Sequence, residues 1–136
     1  MSKTAVVVDD TAFMRLSLKN ILENNEYEVV GEGADGQQAL ELYKQYKPSL
    51  MTMDITMPKI NGIKAVQEIL AYDSNAVIIM VSAMGQKELV MEALNAGAKD
   101  FVLKPFQPKR VAEALAKLEE SSGGAEEDII TGDPEG

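Results

Sequence analysis

The sequence contains no cysteine and no histidine among its 136 residues. Without cysteine the chain has no disulfide bond and no thiolate metal site, a composition that fits the reducing cytoplasm. Without histidine, any chemistry that needs an imidazole base, a histidine metal ligand or a phosphohistidine must obtain that group from another molecule. We therefore expect a cytoplasmic protein that depends on a partner for imidazole chemistry.

Long hydrophobic runs are also missing. The longest, AVVV at residues 5–8 and AVIIMV at residues 76–81, have the length of strands and fall far short of the ~20 residues that a bilayer-spanning helix requires. No segment with the form of a secretory signal precedes the first run. We expect a chain without a membrane partner that is long enough for one globular domain.

Positive charge is absent from the last part of the chain. The net charge is −9, all 13 basic residues lie at or before Lys117, and residues 119–136 contain acids but no base. No clustered basic surface is available for nucleic acid. We predict a domain at residues 1–120 and an acidic, disordered tail at residues 121–136, where two serines and two glycines end the last helix. In an alternative interpretation, Ile129 and Ile130 form a small docking motif.

The chain shows a regular alternation of strand-like and helix-like patterns. Apolar runs predict strands at residues 4–8, 27–33, 50–53, 76–81 and 101–103. After each run, apolar side chains recur every three or four residues, as on the buried face of a helix. Because the strands are apolar throughout, they are typical of a parallel sheet covered by helices on both faces. The sequence therefore predicts an α/β fold with a doubly wound sheet of five parallel strands.

Polar side chains follow four of the predicted strands at the point where each strand ends. They are Asp9, Asp10, Asp54, Ser82 and Lys104. Each has an ordinary alternative role as a helix cap, a turn residue or a solvated lysine. In an open parallel sheet, however, the carboxyl ends of the strands form one ligand-binding edge, where these groups would converge. Three carboxylates held together repel one another unless a cation joins them, so we predict a Mg²⁺ site at this edge.

Magnesium, an ammonium group and a hydroxyl in one place are typical of phosphoryl transfer. Asp54 ends a central strand and is the candidate nucleophile, because aspartyl phosphate is an established covalent species. Asp10 and Asp54, with help from Asp9, would hold the metal, while Lys104 would offset charge on the phosphoryl oxygens. Calcium is not expected, because no loop carries acids at alternate positions.

Four segments carry a resemblance to a known family: VVVDD at residues 6–10, MDITMPKINGI at 53–63, VSAMG at 81–85 and KDFVLKPF at 99–106. From residue 3 to residue 120 the chain resembles the receiver domains of bacterial two-component response regulators, and among these the stand-alone chemotaxis regulators. The resemblance implies a flavodoxin-like sheet with strand order 2-1-3-4-5. It implies a signalling module rather than an enzyme, one that assists its own Mg²⁺-dependent phosphorylation and dephosphorylation.

The resemblance also implies a role for each residue of the predicted site. Asp54 would be the phosphoacceptor for a histidine kinase, and Ser82 and Lys104 would bond the phosphoryl oxygens. The Mg²⁺ ligands that it implies are Asp9, Asp10, Asp54 and the backbone carbonyl of Thr56. The bond between Lys104 and Pro105 would be cis. Two further matching residues, in the loop that leads into the third helix, are Pro58 and Gly62.

Phe101 departs from the family pattern, because many chemotaxis regulators have tyrosine at this position. In the family, the hydroxyl residue, here Ser82, moves toward the phosphoryl group, and the aromatic ring enters the space that it leaves. Phe101 can change rotamer in this way but has no phenolic hydroxyl to exchange hydrogen bonds. Alternatively, Phe101 is simply a core residue of an edge strand, and the sequence leaves both interpretations open.

Several partners follow from the resemblance. They are a histidine kinase as phosphodonor, the flagellar motor switch protein or another output protein, and a phosphatase. The chain itself is expected to be a monomer. The output face would comprise residues 87–96 and 101–116. A receiver in a non-chemotaxis phosphorelay is an alternative. An aspartyl-phosphate hydrolase is less favoured because Thr56 stands where it needs a second acid, and a flavin carrier is disfavoured because Asp9-Asp10-Thr11 replaces its phosphate loop.

Overall fold

The chain alternates five strands with five helices. The computed structural model describes residues 3–57 and 61–131, with side chains described up to Glu119. The strands are β1 (Lys3–Val8), β2 (Tyr27–Gly33), β3 (Leu50–Asp54), β4 (Ile78–Ser82) and β5 (Asp100–Leu103). The helices are α1 (Ala12–Asn24), α2 (Gly36–Tyr46), α3 (Gly62–Tyr72), α4 (Lys87–Ala96) and α5 (Pro108–Thr131).

All strand pairs are parallel, and the order across the sheet is β2-β1-β3-β4-β5. The predicted flavodoxin-like, doubly wound fold is therefore confirmed. The three central strands are buried along almost their whole length, which explains their uninterrupted apolar sequences. The order reverses between β1 and β3, so the carboxyl ends of these two strands form the crevice in which such sheets bind ligands.

Two apolar cores lie on opposite faces of the sheet. One packs buried residues of α2, α3 and α4 against the sheet, including Ala39, Ile69 and Ala93. The other packs α1 and α5 against the opposite face, including Leu22 and Leu115. Side chains of a strand point alternately to the two faces, and each central strand therefore contributes to both cores. This arrangement fixes the directions of the side chains at the strand ends.

Strand β2 contains a one-residue irregularity that changes the side of the sheet to which its last residues point. Ala5 of β1 pairs with Val29, but Val7 pairs with Glu32, so three steps along β2 match two along β1. In a regular strand, Val29 and Glu32 would face opposite sides of the sheet. The β-bulge between them brings both to the α1 side of the sheet.

Helix α5 corrects one sequence prediction. Two serines and two glycines were expected to end it near residue 121, but its backbone continues to Thr131. Serine and glycine weaken a helix without forbidding it, and the alanine and glutamates that follow are better helix formers. The domain boundary at residue 120 stays a prediction, and residues 132–136 of the predicted disordered tail lie outside the described part. Within that part, neither α5 nor any other helix is long and apolar enough to cross a membrane.

Candidate functional site

The predicted site residues meet at the carboxyl edge of the sheet. Asp9 and Asp10 follow β1, and Lys104 follows β5. Asp54 and Ser82 are the last residues of β3 and β4, not the first residues after them as the sequence predicted. The strands extend this far because backbone pairing continues past them: Ile55 N donates to Val81 O at 3.1 Å, and Lys104 N donates to Ser82 O at 2.7 Å.

Asp9 is the most firmly held of the acids. Its side chain is fully buried, and its Oδ1 accepts a hydrogen bond of 2.9 Å from the backbone N–H of Thr11. Its Oδ2 lies 3.0 Å from Lys104 Nζ. A buried carboxylate is stable only when it is paired and hydrogen-bonded, and Asp9 meets both conditions.

Asp54 shares the same lysine. Its Oδ2 lies 3.4 Å from Lys104 Nζ, and the residue is only 4% exposed. Burial raises the pKa of the Asp54 carboxyl above its usual value, and the neighbouring Asp9 carboxylate raises it further, while Lys104 acts in the opposite direction. Asp54 is thus a carboxylate that would gain from an additional cation.

Lys104 neutralises part of this negative charge. Burial by itself would lower the pKa of its ammonium group, but the ion pairs with Asp9 and Asp54 outweigh burial and raise that pKa. Lys104 therefore stays protonated at neutral pH. The peptide bond between Lys104 and Pro105 is cis, as the resemblance implied.

The three acids can hold a metal ion together. One carboxylate oxygen from each of Asp9, Asp10 and Asp54 lies within 4.8 Å of the others, with Asp10 exposed and the other two buried. Hard oxygen ligands partly open to water suit Mg²⁺, which usually keeps several waters and takes one or two protein carboxylates. The donor set therefore fits Mg²⁺, and the open side at Asp10 leaves room for a phosphate oxygen. The carbonyl of Thr56 as a further ligand stays a prediction.

Ser82 is placed to respond to a new acceptor. It is fully buried, and its Oγ has no hydrogen-bond partner among the described residues. Ser82 stands beside Asp54 in the sheet, because Val81 pairs with Asp54 in the register of β3 and β4. A buried hydroxyl without a partner gains free energy when an acceptor arrives.

Gly62 lets α3 begin directly against the end of β3. Its N–H donates to Ile55 O at 2.7 Å, and a Cβ at this position would lie 2.8 Å from Ile55 Cα and even closer to the Asp54 carbonyl oxygen. Only glycine fits such an approach between two backbone segments. Pro58, the other loop residue that the resemblance singled out, lies outside the described residues.

Phe101 lies half-buried on β5 and packs against the core of α2, α3 and α4. Its carbonyl accepts a hydrogen bond of 2.6 Å from Arg110 Nη2, and the guanidinium carbon of Arg110 lies 6.0 Å from the ring centroid. The position is compatible with a core role and with a rotamer change, so the switch role of Phe101 stays a prediction.

Sequence reasoning missed Arg15. This residue lies one turn into α1, and its Nη1 donates a hydrogen bond of 2.6 Å to the backbone carbonyl of Asp9. Its Nε lies 3.1 Å from Glu32 Oε1. A basic residue in the first turn after an acidic pair was the available signal, but the partner on β2 is 17 residues away and was not foreseeable.

The site is separate from a cavity of about 890 Å³ at the opposite edge of the sheet. That cavity is lined by residues from the amino ends of the strands, among them Lys3, Tyr27 and Asp100. The acids and Lys104 lie at the carboxyl ends, so the cavity does not belong to the candidate site. The candidate site therefore lies on the carboxyl rim of the sheet, away from this cavity.

Comparisons with known proteins agree with this geometry. The family model of the response regulator receiver domain matches residues 5–116. The chain is 57% identical over 118 residues to the chemotaxis protein CheY of Thermotoga maritima. This alignment covers 87% of this chain and 98% of that protein. It is 54% identical to CheY of Bacillus subtilis, over 86% of this chain and 98% of that protein.

Solved structures also resemble this fold. A chain in the crystal structure of the CheX–CheY–BeF3–Mg²⁺ complex from Borrelia burgdorferi superimposes with a TM-score of 0.81 at 34% identity, covering 85% of this chain and 88% of that chain. The likeness thus extends across nearly the whole described domain. Together with the matched family model and the two CheY relatives, it shows that this chain belongs to the response regulator receiver family, within its CheY-type branch.

Proposed function

We propose that this protein is a chemotaxis response regulator that receives a phosphoryl group on Asp54 from a histidine kinase and then binds an output protein. One observation supports it above the others: Asp9, Asp10 and Asp54 converge within 4.8 Å, and Lys104 lies 3.4 Å from Asp54. A carboxylate nucleophile with a cation site and an ammonium group beside it suits phosphoryl transfer. The protein would act as a signalling module in the cytoplasm.

The proposed transfer moves one phosphoryl group between two proteins. An oxygen of the Asp54 carboxylate forms a bond to phosphorus, and the bond between phosphorus and the kinase imidazole breaks. The imidazole leaves with the electron pair of that bond and takes a proton from solvent. Because this chain contains no histidine, the phosphohistidine has to belong to another protein.

Residues of this chain would assist both transfer and dephosphorylation. Asp9, Asp10, Asp54 and the Thr56 carbonyl would hold Mg²⁺, which would supply charge stabilisation for the phosphoryl oxygens. Lys104, already within reach of Asp54, offsets negative charge on the same oxygens. The position of Asp54 at the sheet rim, next to exposed Asp10 and Thr56, gives water access for hydrolysis.

Signalling would follow from a shift between two arrangements of the site. A phosphoryl group on Asp54 provides new acceptors for Lys104 and for the buried Ser82 hydroxyl, which otherwise has no partner among the described residues. Reversing a population of 1:99 requires about 5.5 kcal/mol. Two or three charge-assisted hydrogen bonds can supply this free energy.

The output surface would lie where α4, β5 and α5 meet. Met91 on α4 is 51% exposed and Leu103 on β5 is 42% exposed, so this surface presents apolar side chains to a partner. The flagellar motor switch protein is the proposed partner, in line with the chemotaxis relatives. The Borrelia complex joins CheX to CheY, and it supports a second partner for this chain, which we propose to be a phosphatase.

Phosphorylation can be tested with acetyl phosphate as a small donor. We expect the mass of one phosphoryl group to be added to the wild-type protein in Mg²⁺ and not in EDTA. Asp54→Asn should abolish this addition. Asp35→Asn is the matched control, because Asp35 caps α2 through the Gln38 N–H and asparagine caps helices equally well. Full phosphorylation of Asp54→Asn would show that the acceptor is assigned wrongly.

Output binding can be tested with beryllofluoride, which mimics the phosphoryl group. We expect the purified motor switch protein to bind the wild-type protein with Mg²⁺ and beryllofluoride and to bind weakly without them. Met91→Lys should weaken the complex, whereas Tyr46→Lys, at an exposed position on α2, should not. Equal binding with and without beryllofluoride would contradict the proposed switch.

A further inference from the structure

Arg15 joins the candidate metal site to a strand that contributes no ligand to it. Its Nη1 donates to the Asp9 carbonyl oxygen at 2.6 Å, while its Nε lies 3.1 Å from Glu32 Oε1 on β2. The guanidinium group therefore holds two acceptors at once, the Asp9 carbonyl through Nη1 and the Glu32 carboxylate through Nε. A planar fork of this kind holds two acceptors in a fixed relation, which a lysine ammonium cannot do.

The second end of this bridge depends on the β-bulge in β2. Because of the bulge, Glu32 faces the α1 side of the sheet, the same side as Arg15. The carbonyl oxygen of Gly33, the next residue, accepts a hydrogen bond of 3.0 Å from the Asp9 N–H. The backbone of Asp9 is thus fixed on both sides, at its N–H by Gly33 and at its carbonyl by Arg15.

These contacts constrain the direction of the Asp9 carboxylate. Thr11 N–H holds Oδ1 and Lys104 meets Oδ2, but neither group fixes the main chain from which the side chain projects. The Arg15 side chain is only 20% exposed, so its hydrogen bond to Asp9 is partly shielded from water. Groups that orient metal ligands from outside typically change metal affinity by about 10–100-fold when they are removed.

We propose that Arg15, held by Glu32, is a positioning residue that orients Asp9 for Mg²⁺. This inference rests on the proposed function, since it concerns the metal site of that function. The proposed positioning role and a general effect of charge predict opposite changes in Mg²⁺ affinity. Arg15 is a cation near three carboxylates, so charge alone would make Mg²⁺ bind more tightly once Arg15 is neutralised, whereas loss of positioning would make Mg²⁺ bind more weakly.

The test measures the dissociation constant for Mg²⁺ by calorimetry in the absence of any phosphodonor. We expect Arg15→Gln and Arg15→Lys both to bind Mg²⁺ about tenfold more weakly than the wild type. Lysine keeps the charge but not the fork, so the two variants separate position from charge. Lys19→Gln is the matched control, because it removes one positive charge from the next turn of α1, and it should leave the dissociation constant unchanged.

Glu32 provides a second readout in the double variant Arg15→Gln/Glu32→Gln, because charge alone would give that variant a Mg²⁺ affinity near that of the wild type. Glu32→Gln should weaken Mg²⁺ binding less than Arg15→Gln, because the hydrogen bond to Asp9 remains. The double variant should match Arg15→Gln alone, since Glu32 acts only through Arg15 and the effects of coupled residues do not add. Circular dichroism and urea unfolding of each variant confirm that it is folded before binding is measured.

The outcomes distinguish a failure of the proposed function from a failure of the positioning role. If the wild-type protein binds no Mg²⁺, the proposed function fails. If the wild type binds Mg²⁺ but Arg15→Gln binds it equally or more tightly, the positioning role is overturned while the metal site stands. Wild-type affinity in Arg15→Lys would likewise overturn the role, because it would show that charge without the fork suffices.

Discussion

Replacing Lys104 with methionine would isolate what one ammonium group contributes to the site. Methionine keeps the apolar stem and removes the charge. Lys104 Nζ lies 3.0 Å from Asp9 Oδ2 and 3.4 Å from Asp54 Oδ2. At an effective dielectric constant of about 20, each distance corresponds to a gross attraction of about 5 kcal/mol.

The net loss should be smaller than these gross attractions. Desolvation and ordering of the lysine oppose them, and removal of one partner from a buried ion pair typically costs about 3–5 kcal/mol. The Lys104 side chain keeps 20% exposure, which places it at the lower end of that range. We therefore expect Lys104→Met to lower the free energy of unfolding in EDTA by about 3 kcal/mol.

Magnesium should restore part of this loss. In Lys104→Met the carboxylates of Asp9, Asp10 and Asp54 have no ammonium group beside them, so Mg²⁺ no longer competes with a fixed cation. We expect Mg²⁺ to bind about tenfold more tightly than to the wild type, which returns about 1.4 kcal/mol at saturation. The destabilisation should therefore be clearly smaller in Mg²⁺ than in EDTA.

Urea unfolding followed by circular dichroism measures both quantities, since the chain contains no tryptophan for fluorescence. Lys109→Met serves as control, because Lys109 is exposed and makes no ion pair within the part of the chain that the structure describes. The reasoning would be refuted if Lys104→Met unfolded at the wild-type urea concentration in EDTA. It would also be refuted if the loss were the same with and without Mg²⁺.

Three further changes test other parts of the molecule. Burial and the Asp9 charge raise the pKa of Asp54 in the folded protein. The Asp54 carboxyl therefore contributes its full stability to the folded state only below its usual pKa of 3.8, and this contribution is lost as the pH rises through the folded pKa. Asp54→Asn should therefore be more stable than the wild type at pH 7 in EDTA, with a difference that shrinks toward pH 4 in urea titrations. Gly62→Ala should cost about 2 kcal/mol by urea unfolding, because its Cβ would meet the Ile55 backbone; wild-type stability would contradict the close approach. Thr52→Val should stabilise by about 1 kcal/mol, because the Thr52 hydroxyl is buried without a partner among the described residues; a lower melting temperature would contradict this account.

The strands and their convergence were predictable because they depend on local patterns and one topological rule. Runs such as AVVV before Asp9 mark a strand buried on both faces, and parallel strands necessarily end at the same edge. Asp9, Asp54 and Lys104 therefore meet as predicted. Strand ends were less certain, since Asp54 and Ser82 belong to strands through pairing with neighbours that no local pattern reveals.

Long-range and backbone effects account for what the sequence did not predict. The contact between Arg15 and Glu32 needs both the direction of α1 and a bulge in β2, and neither leaves a signature in residue types. The continuation of α5 past Ser121 likewise depends on the summed preferences of many residues, which a pair of glycines does not override.

The division of the interior by the sheet has a consequence for how this molecule can change over evolutionary time. Helices α2, α3 and α4 share one packed layer, while α1 and α5 share the other, and the strands stand between them as a partition. A substitution that reshapes α4 is absorbed by neighbours in its own layer, far from the Arg15 contact on the opposite side. Helix α4, one part of the proposed output surface, can thus diverge toward new targets while the candidate metal site, held by Arg15 from the other layer, retains its dimensions.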